Sequence, residues 1–136
     1  MAQLILASHG PLAQAIKESA AMICGNTDSV KSFCLYQNDS ADDFYEEIKA
    51  SVIPEEDTLL IVDFPGGTPA IKGLTLLSEF PKLKVITGMN SMMIIETILS
   101  MDQVDFEELV SRAMATGRDS ISEIKYEDVD YEYDDL

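Results

Sequence analysis

The single histidine of the chain, His9, closes an apolar run, Gln3-Leu4-Ile5-Leu6-Ala7, within the segment Ser8-His9-Gly10-Pro11. A second apolar run, Thr58-Leu59-Leu60-Ile61-Val62, ends in Asp63 and passes into Phe64-Pro65-Gly66-Gly67-Thr68-Pro69. A neutral imidazole carries one N–H and one lone pair. If a carboxylate takes the N–H, the other nitrogen is left oriented as a nucleophile. Consecutive glycines let a backbone approach a ligand closely, and the N–H groups of a helix N-terminus suit an anion. His9, Asp63 and the turn of Gly66, Gly67 and Thr68 therefore supply the parts for phosphoryl transfer, which depends on positioning and charge stabilisation. Ser8 is a further candidate phosphate contact. Each residue also has a plainer reading: a loop histidine or serine with no role, and an aspartate that only caps the next turn.

These residues act together only if the chain brings them together. Both apolar runs are short and continuous, as strands covered on both faces are. After His9, Pro11 fits the first position of a helix with Leu12, Ile16, Ala20 and Ile23 as its stripe, stopped by Gly25. Val30 to Leu35 reads as a second strand, with Phe33 and Leu35 on one face. Ser40 then caps a helix carrying Phe44, Ile48 and Val52, which ends before Pro54. After Asp63, Thr68 is expected to cap a helix that begins at Pro69 and buries Ile71, Leu74 and Leu77. Leu83 to Thr87 is a fourth strand, followed by Gly88-Met89-Asn90. Asn90 or Ser91 opens a helix through Met92, Ile95 and Leu99, and Asn90 is placed to line the site. Asp105 with Glu108 resembles a capping box before Phe106, Leu109, Ala113 and Met114.

Strands alternating with helices predict a single α/β domain, residues 1–125, with a mostly parallel sheet and helices on both faces. In the order 2-1-3-4 the first and third strands are neighbours whose connections leave to opposite faces. The crevice between them is the topological switch point, where His9 and Asp63 would meet. Ile121 to Ile124 allows a short antiparallel edge strand. Residues 126–136 hold six acids (Glu127, Asp128, Asp130, Glu132, Asp134, Asp135) and no base, the composition of a disordered tail.

Composition narrows the classes of function. At 136 residues, 46% hydrophobic and 25% charged, the chain has the make-up of an ordinary globular protein. A formal net charge of -16 argues against nucleic acid and anionic membranes as partners. No run is long enough to span a bilayer and no basic, cleavable leader opens the chain, so a cytoplasmic location is expected. Cys24 and Cys34 form no paired motif with each other or with His9. Neither a metal nor a cofactor is expected, and both thiols are expected as small core residues.

Three segments together resemble one family: Ala7-Ser8-His9-Gly10 after the first strand, Val62-Asp63-Phe64-Pro65-Gly66-Gly67-Thr68-Pro69 after the third, and Gly88-Met89-Asn90 after the fourth. It is the IIA component of the mannose family of the bacterial phosphoenolpyruvate-dependent sugar phosphotransferase system. The similarity runs from residue 2 to about 124. It implies that His9 carries a phosphoryl group, with Asp63 as its supporting aspartate. The donor would be the phosphorylated histidine-containing phosphocarrier protein. The acceptor would be a IIB subunit or domain, acting ahead of the membrane components IIC and IID. The resemblance also implies a homodimer that exchanges the last short strand, Ile121–Ile124. Two departures, Ala70-Ile71-Lys72 where an Asn often follows Thr-Pro and Ser91-Met92 where a Pro often follows, bear on partner choice. A phosphocarrier serving dihydroxyacetone kinase shares the fold and the histidine but has a different turn after its aspartate. A phosphorylation-dependent regulatory module is compatible with the same residues, and a hydrolase with a His–Asp dyad ranks last.

Overall fold

Every residue from Leu4 to Ser8 and from Thr58 to Val62 is buried, which requires cover on both faces of the sheet they join. The structure, a computed structural model that describes residues 2–128, has that cover. Strands β1 (Gln3–His9), β2 (Lys31–Leu35), β3 (Thr58–Val62) and β4 (Leu83–Ile86) form a parallel sheet in the order β2-β1-β3-β4. Leu4, Leu6, Leu59 and Ile61 pack with α1 (Leu12–Cys24), α4 (Ser91–Ser100) and α5 (Phe106–Asp119). Ile5, Ala7, Leu60 and Val62 pack with α2 (Ala41–Ser51) and α3 (Thr68–Leu77). The α/β architecture, strand order and two-faced cover match the sequence expectation. Because α1 leaves β1 toward one face and α3 leaves β3 toward the other, the crevice between them opens at the strands' C-terminal ends.

The helix starts follow their polar signals. Ser40 accepts the Asp43 N–H at 3.1 Å, Asn90 the Met93 N–H at 3.1 Å, and Asp105 the Glu108 N–H at 2.9 Å. Each satisfies an N–H that a first helical turn leaves unpaired. Pro11 stands one place earlier than expected, as the cap of α1, its carbonyl accepting the Ala15 N–H at 2.9 Å. Gly25 ends that helix at φ 83, as expected of the glycine there.

The buried faces of three helices differ from the expected stripes. In α1 the buried residues are Ala13, Ile16 and Ala20, while Leu12 and Ile23 are exposed. In α3 they are Pro69, Gly73 and Leu76, while Ile71, Leu74 and Leu77 face out. In α4 they are Met93, Ile94, Thr97 and Ser100; Ile95 packs against the core, and Met92 and Leu99 are exposed. Close approach to the sheet selects small residues. A Cβ at Gly73 would already lie 3.1 Å from Val85 Cγ1. Cys34 is half-buried against the core, whereas Cys24 lies at the half-buried end of α1 outside both core clusters. Residues 121–125 make no strand in the described chain, and Ile121 is 80% exposed. An edge strand needs a partner for its backbone and cover for its side chains, and residues 121–125 find neither among the described residues. Of the expected tail, Tyr126–Asp128 form a single 3-10 turn, and 129–136 lie outside the described residues.

Leu76 is fully buried and Leu74 is 68% exposed. Leu76→Ala is expected to cost about 2–5 kcal/mol of stability, while Leu74→Ala stays within about 0.5 kcal/mol of wild type. Equilibrium denaturation of the two variants checks the assignment of the buried face.

Candidate active site

On its β2 side, β1 stays paired through His9 opposite Leu35, and the Gly10 N–H donates to the Leu35 carbonyl at 2.7 Å. On its β3 side, pairing ends earlier, with Ala7 opposite Val62. The backbone N–H of His9 therefore points at a place that β3 has already left. Asp63 fills it: its Oδ2 accepts that N–H at 2.8 Å, standing in for the missing ladder partner. The same oxygen lies 2.8 Å from His9 Nδ1, and Oδ1 accepts the Phe64 N–H at 3.0 Å.

Burial pushes the Asp63 carboxyl up. The hydrogen bonds from the His9 backbone, the His9 ring and the Phe64 backbone together outweigh it and hold the group below the usual carboxylate range. Asp63 is thus charged at neutral pH and can only accept hydrogen bonds. In a neutral imidazole facing it, Nδ1 bears the proton and Nε2 the lone pair. The His9 side chain is 40% exposed and that of Asp63 only 6%. The imidazole is accessible and the carboxylate beside it is sheltered.

The turn after Asp63 closes over this pair. Gly66 has φ 87, a conformation that side chains disfavour, and it reverses the chain so that Gly67 meets the histidine. A Cβ on Gly67 would lie 2.5 Å from His9 Cε1, so the contact admits only glycine without moving the ring. Gly67, rather than Thr68, is the cap of α3; Thr68 and Pro69 are its first two residues, and no side chain closes that end. The Thr68 hydroxyl is therefore not spent on capping. Thr68 lines, with His9, Gly10, Tyr36, Gln37 and Asp39, a cavity of about 440 Å³.

Other expected residues take structural places. Ser8 is fully buried. Its hydroxyl donates to the Gly10 carbonyl at 3.1 Å and accepts the Ala13 N–H at 2.8 Å, so it tethers the start of α1. Asn90 caps α4 and donates to the Gly88 and Gly117 carbonyls at 3.2 and 3.4 Å. The preceding residues brace the site from behind: the Gly88 N–H donates to the Asp63 carbonyl at 3.1 Å and the Met89 N–H to Val62 at 3.2 Å. Met89 and Met93 are buried and Met92 is exposed. Lys72 pairs with Asp42 at 3.5 Å. Among the described residues, no three His, Cys, Asp or Glu side chains are grouped to hold a metal.

Sequence reasoning missed Phe64. Its ring stacks on the imidazole, centroids 4.8 Å apart and planes 8° from parallel. The available signal was an aromatic residue directly after the strand-ending aspartate, in a turn otherwise made of Pro, Gly and Thr.

Known proteins resemble this chain in sequence and in fold. A family model, EIIA-man, described as PTS system fructose IIA component, matches residues 3–114. The chain is 27% identical over 131 residues to the PTS system mannose-specific EIIAB component of Escherichia coli (strain K12), covering 93% of this chain and 41% of that protein. It thus spans less than half of that relative's length. It is 24% identical over 123 residues to the PTS system fructose-specific EIIA component of Bacillus subtilis (strain 168), covering 88% of this chain and 84% of that one. The crystal structure of phosphotransferase system component EIIA from Streptococcus agalactiae superposes with a TM-score of 0.85 at 26% identity. That likeness covers 90% of this chain and 97% of the other.

The hydrogen bonds of Ser8 yield a direct check. Ser8→Ala leaves the Ala13 N–H without its acceptor and is expected to lower stability by about 1–2 kcal/mol. The His9 ring resonances should stay in place, as seen by nuclear magnetic resonance. A shift of the ring with unchanged stability would return Ser8 to the site.

Proposed function

The chain belongs to the EIIA-man family of phosphotransferase-system IIA components, and on that premise we propose that it carries a phosphoryl group on His9 between two partner proteins. The donor is the phosphorylated histidine-containing phosphocarrier protein, and the acceptor a IIB subunit or domain. The IIB then phosphorylates sugar entering through the membrane components IIC and IID. The observation that carries this reading is the 2.8 Å approach of Asp63 Oδ2 to Nδ1 of a half-exposed histidine, which leaves Nε2 free.

The step follows from that geometry. The Nε2 lone pair attacks the phosphorus of the donor's phosphohistidine. The donor's N–P bond breaks as the new one forms, and the donor nitrogen leaves with the electron pair. The His9 Nδ1 proton stays on its hydrogen bond throughout. As Nε2 takes the phosphoryl group the ring becomes cationic, and the charged Asp63 beside it stabilises that charge. Backbone N–H groups of the Gly66-Gly67-Thr68 turn and the Thr68 hydroxyl supply donors for the phosphoryl oxygens. In the second step the acceptor's nucleophile attacks the same phosphorus, the His9 N–P bond breaks, and neutral His9 returns. The activity is that of a phosphotransferase, in the cytoplasm. No helix among the described residues is long and apolar enough to cross a membrane.

The protein acts as a homodimer in this reading. The outer edge of β4, unpaired among the described residues, adjoins a cavity of about 410 Å³ lined by Val85, Ile86, Met93, Met114, Gly117 and Ile121. Ile124 near the end of the described chain is 73% exposed. Exchange of residues 121–124 between subunits covers these apolar groups and pairs the edge. Light scattering is expected to give twice the chain mass for the wild type and a monomer for the double variant Ile121→Asp, Ile124→Asp.

Incubation with phosphoenolpyruvate, enzyme I and the phosphocarrier protein is expected to add a single acid-labile phosphate, seen by intact mass and mapped to His9. His9→Ala should abolish the label while keeping the fold. Asp63→Asn should slow labelling by about 10²-fold or more, since the ring loses both its tautomer and its counter-charge. Labelling of His9→Ala, or no label on a folded wild type with a charged phosphocarrier, overturns the reading.

A further inference from the structure

The transfer step uses His9, Asp63 and the turn, yet leaves Phe64 without a part. One hydrogen bond from Nδ1 fixes the position of that nitrogen but not the tilt of the ring about the Nδ1···Oδ2 line. Moreover, Asp63 Oδ2 is shared between the His9 ring and the His9 backbone N–H, both at 2.8 Å. Something else must hold the plane.

Two contacts do so. Phe64 stacks on the imidazole with near-parallel planes, 4.8 Å between centroids and 8° between planes, within the range of a favourable aromatic pair. The backbone of Gly67 closes on both rings. A Cβ there would lie 2.5 Å from His9 Cε1 and 2.9 Å from Phe64 Cε2. Phe64 is itself anchored by the carboxylate that orients the histidine, through its N–H to Asp63 Oδ1 at 3.0 Å. Phe64 nevertheless remains 49% exposed as a residue, so core burial does not account for its placement.

We propose that Phe64 is a positioning residue for His9: its stack, with Gly67, holds the imidazole plane so that Nδ1 stays on Asp63 and Nε2 faces outward. Its effect on transfer rests on the carrier reading above; its effect on the ring does not.

The test uses the full chain with Phe64→Ala and Phe64→Tyr. Because His9 is the sole histidine, long-range ¹H–¹⁵N correlations of imidazole report its ring without ambiguity. The wild type and Phe64→Tyr are expected to show one tautomer, protonated at Nδ1, at a pH where the ring is neutral. In Phe64→Ala the two nitrogen shifts should move toward each other as the ring samples both tautomers. Phosphorylation by the charged phosphocarrier should slow about three- to tenfold in Phe64→Ala and be restored in Phe64→Tyr. If Phe64→Ala fails to fold by circular dichroism, Phe64→Leu, which keeps bulk without the stacking ring, replaces it. Unchanged ring nitrogens in the variant overturn the proposal, even where the rate falls, since the loss then lies in partner contact. A changed ring in Phe64→Ala, where the wild type itself takes no phosphate, supports the positioning role and overturns the carrier reading alone.

Discussion

One buried carboxylate organises the end of the sheet. Asp63 accepts the His9 backbone N–H, the His9 ring nitrogen and the Phe64 backbone N–H. The first continues the β1–β3 ladder past the point where β3 ends, the second fixes a tautomer, and the third starts the turn. A charge with its side chain 6% exposed is costly unless hydrogen-bonded, and three donors meet that cost. The aspartate is in turn held from behind, since the loop after β4 donates to the carbonyls of Asp63 and Val62. Removing the carboxylate would therefore disturb strand pairing, ring orientation and turn together.

The rest of the architecture presents the histidine to solvent and keeps this carboxylate sheltered beside it. β1 and β3 are neighbours, and the helices after them leave to opposite faces. Two helix N-termini thus flank one crevice without either covering it. The glycines of the turn let the backbone lie against the imidazole, where a side chain would displace it. Phe64 covers one face of the ring, and a cavity of about 440 Å³ lined by His9 and Thr68 opens beside it. The preorganised parts are mostly backbone. Electrostatic stabilisation from such fixed dipoles needs little rearrangement during the reaction.

The four strands, the caps Ser40, Asn90 and Asp105, and the pairing of His9 with Asp63 were legible in the sequence. Continuous apolar runs ending in polar residues have few alternative readings, and Ser40, Asn90 and Asp105 signal helix starts through purely local chemistry. Helix faces were a different matter. In α1, α3 and α4, apolar residues occur around most of the helix, so several phases of the helical period fit equally well. The buried phase is the one carrying Ala13, Gly73 or Thr97, because packing against a sheet rewards close approach more than side-chain bulk.

What the sequence by itself determined, then, is the order of elements and the identity of the groups able to do chemistry, since both rest on local patterns. Only the tertiary structure decided which of those groups are free to act. Ser8 looked like a phosphate contact until burial and two hydrogen bonds assigned it to α1. Thr68 looked like a cap until Gly67 took that place. Phe64 drew no notice until its ring lay on His9. Such roles depend on where a polar atom's partners sit across the fold, and spacing along the chain does not encode that.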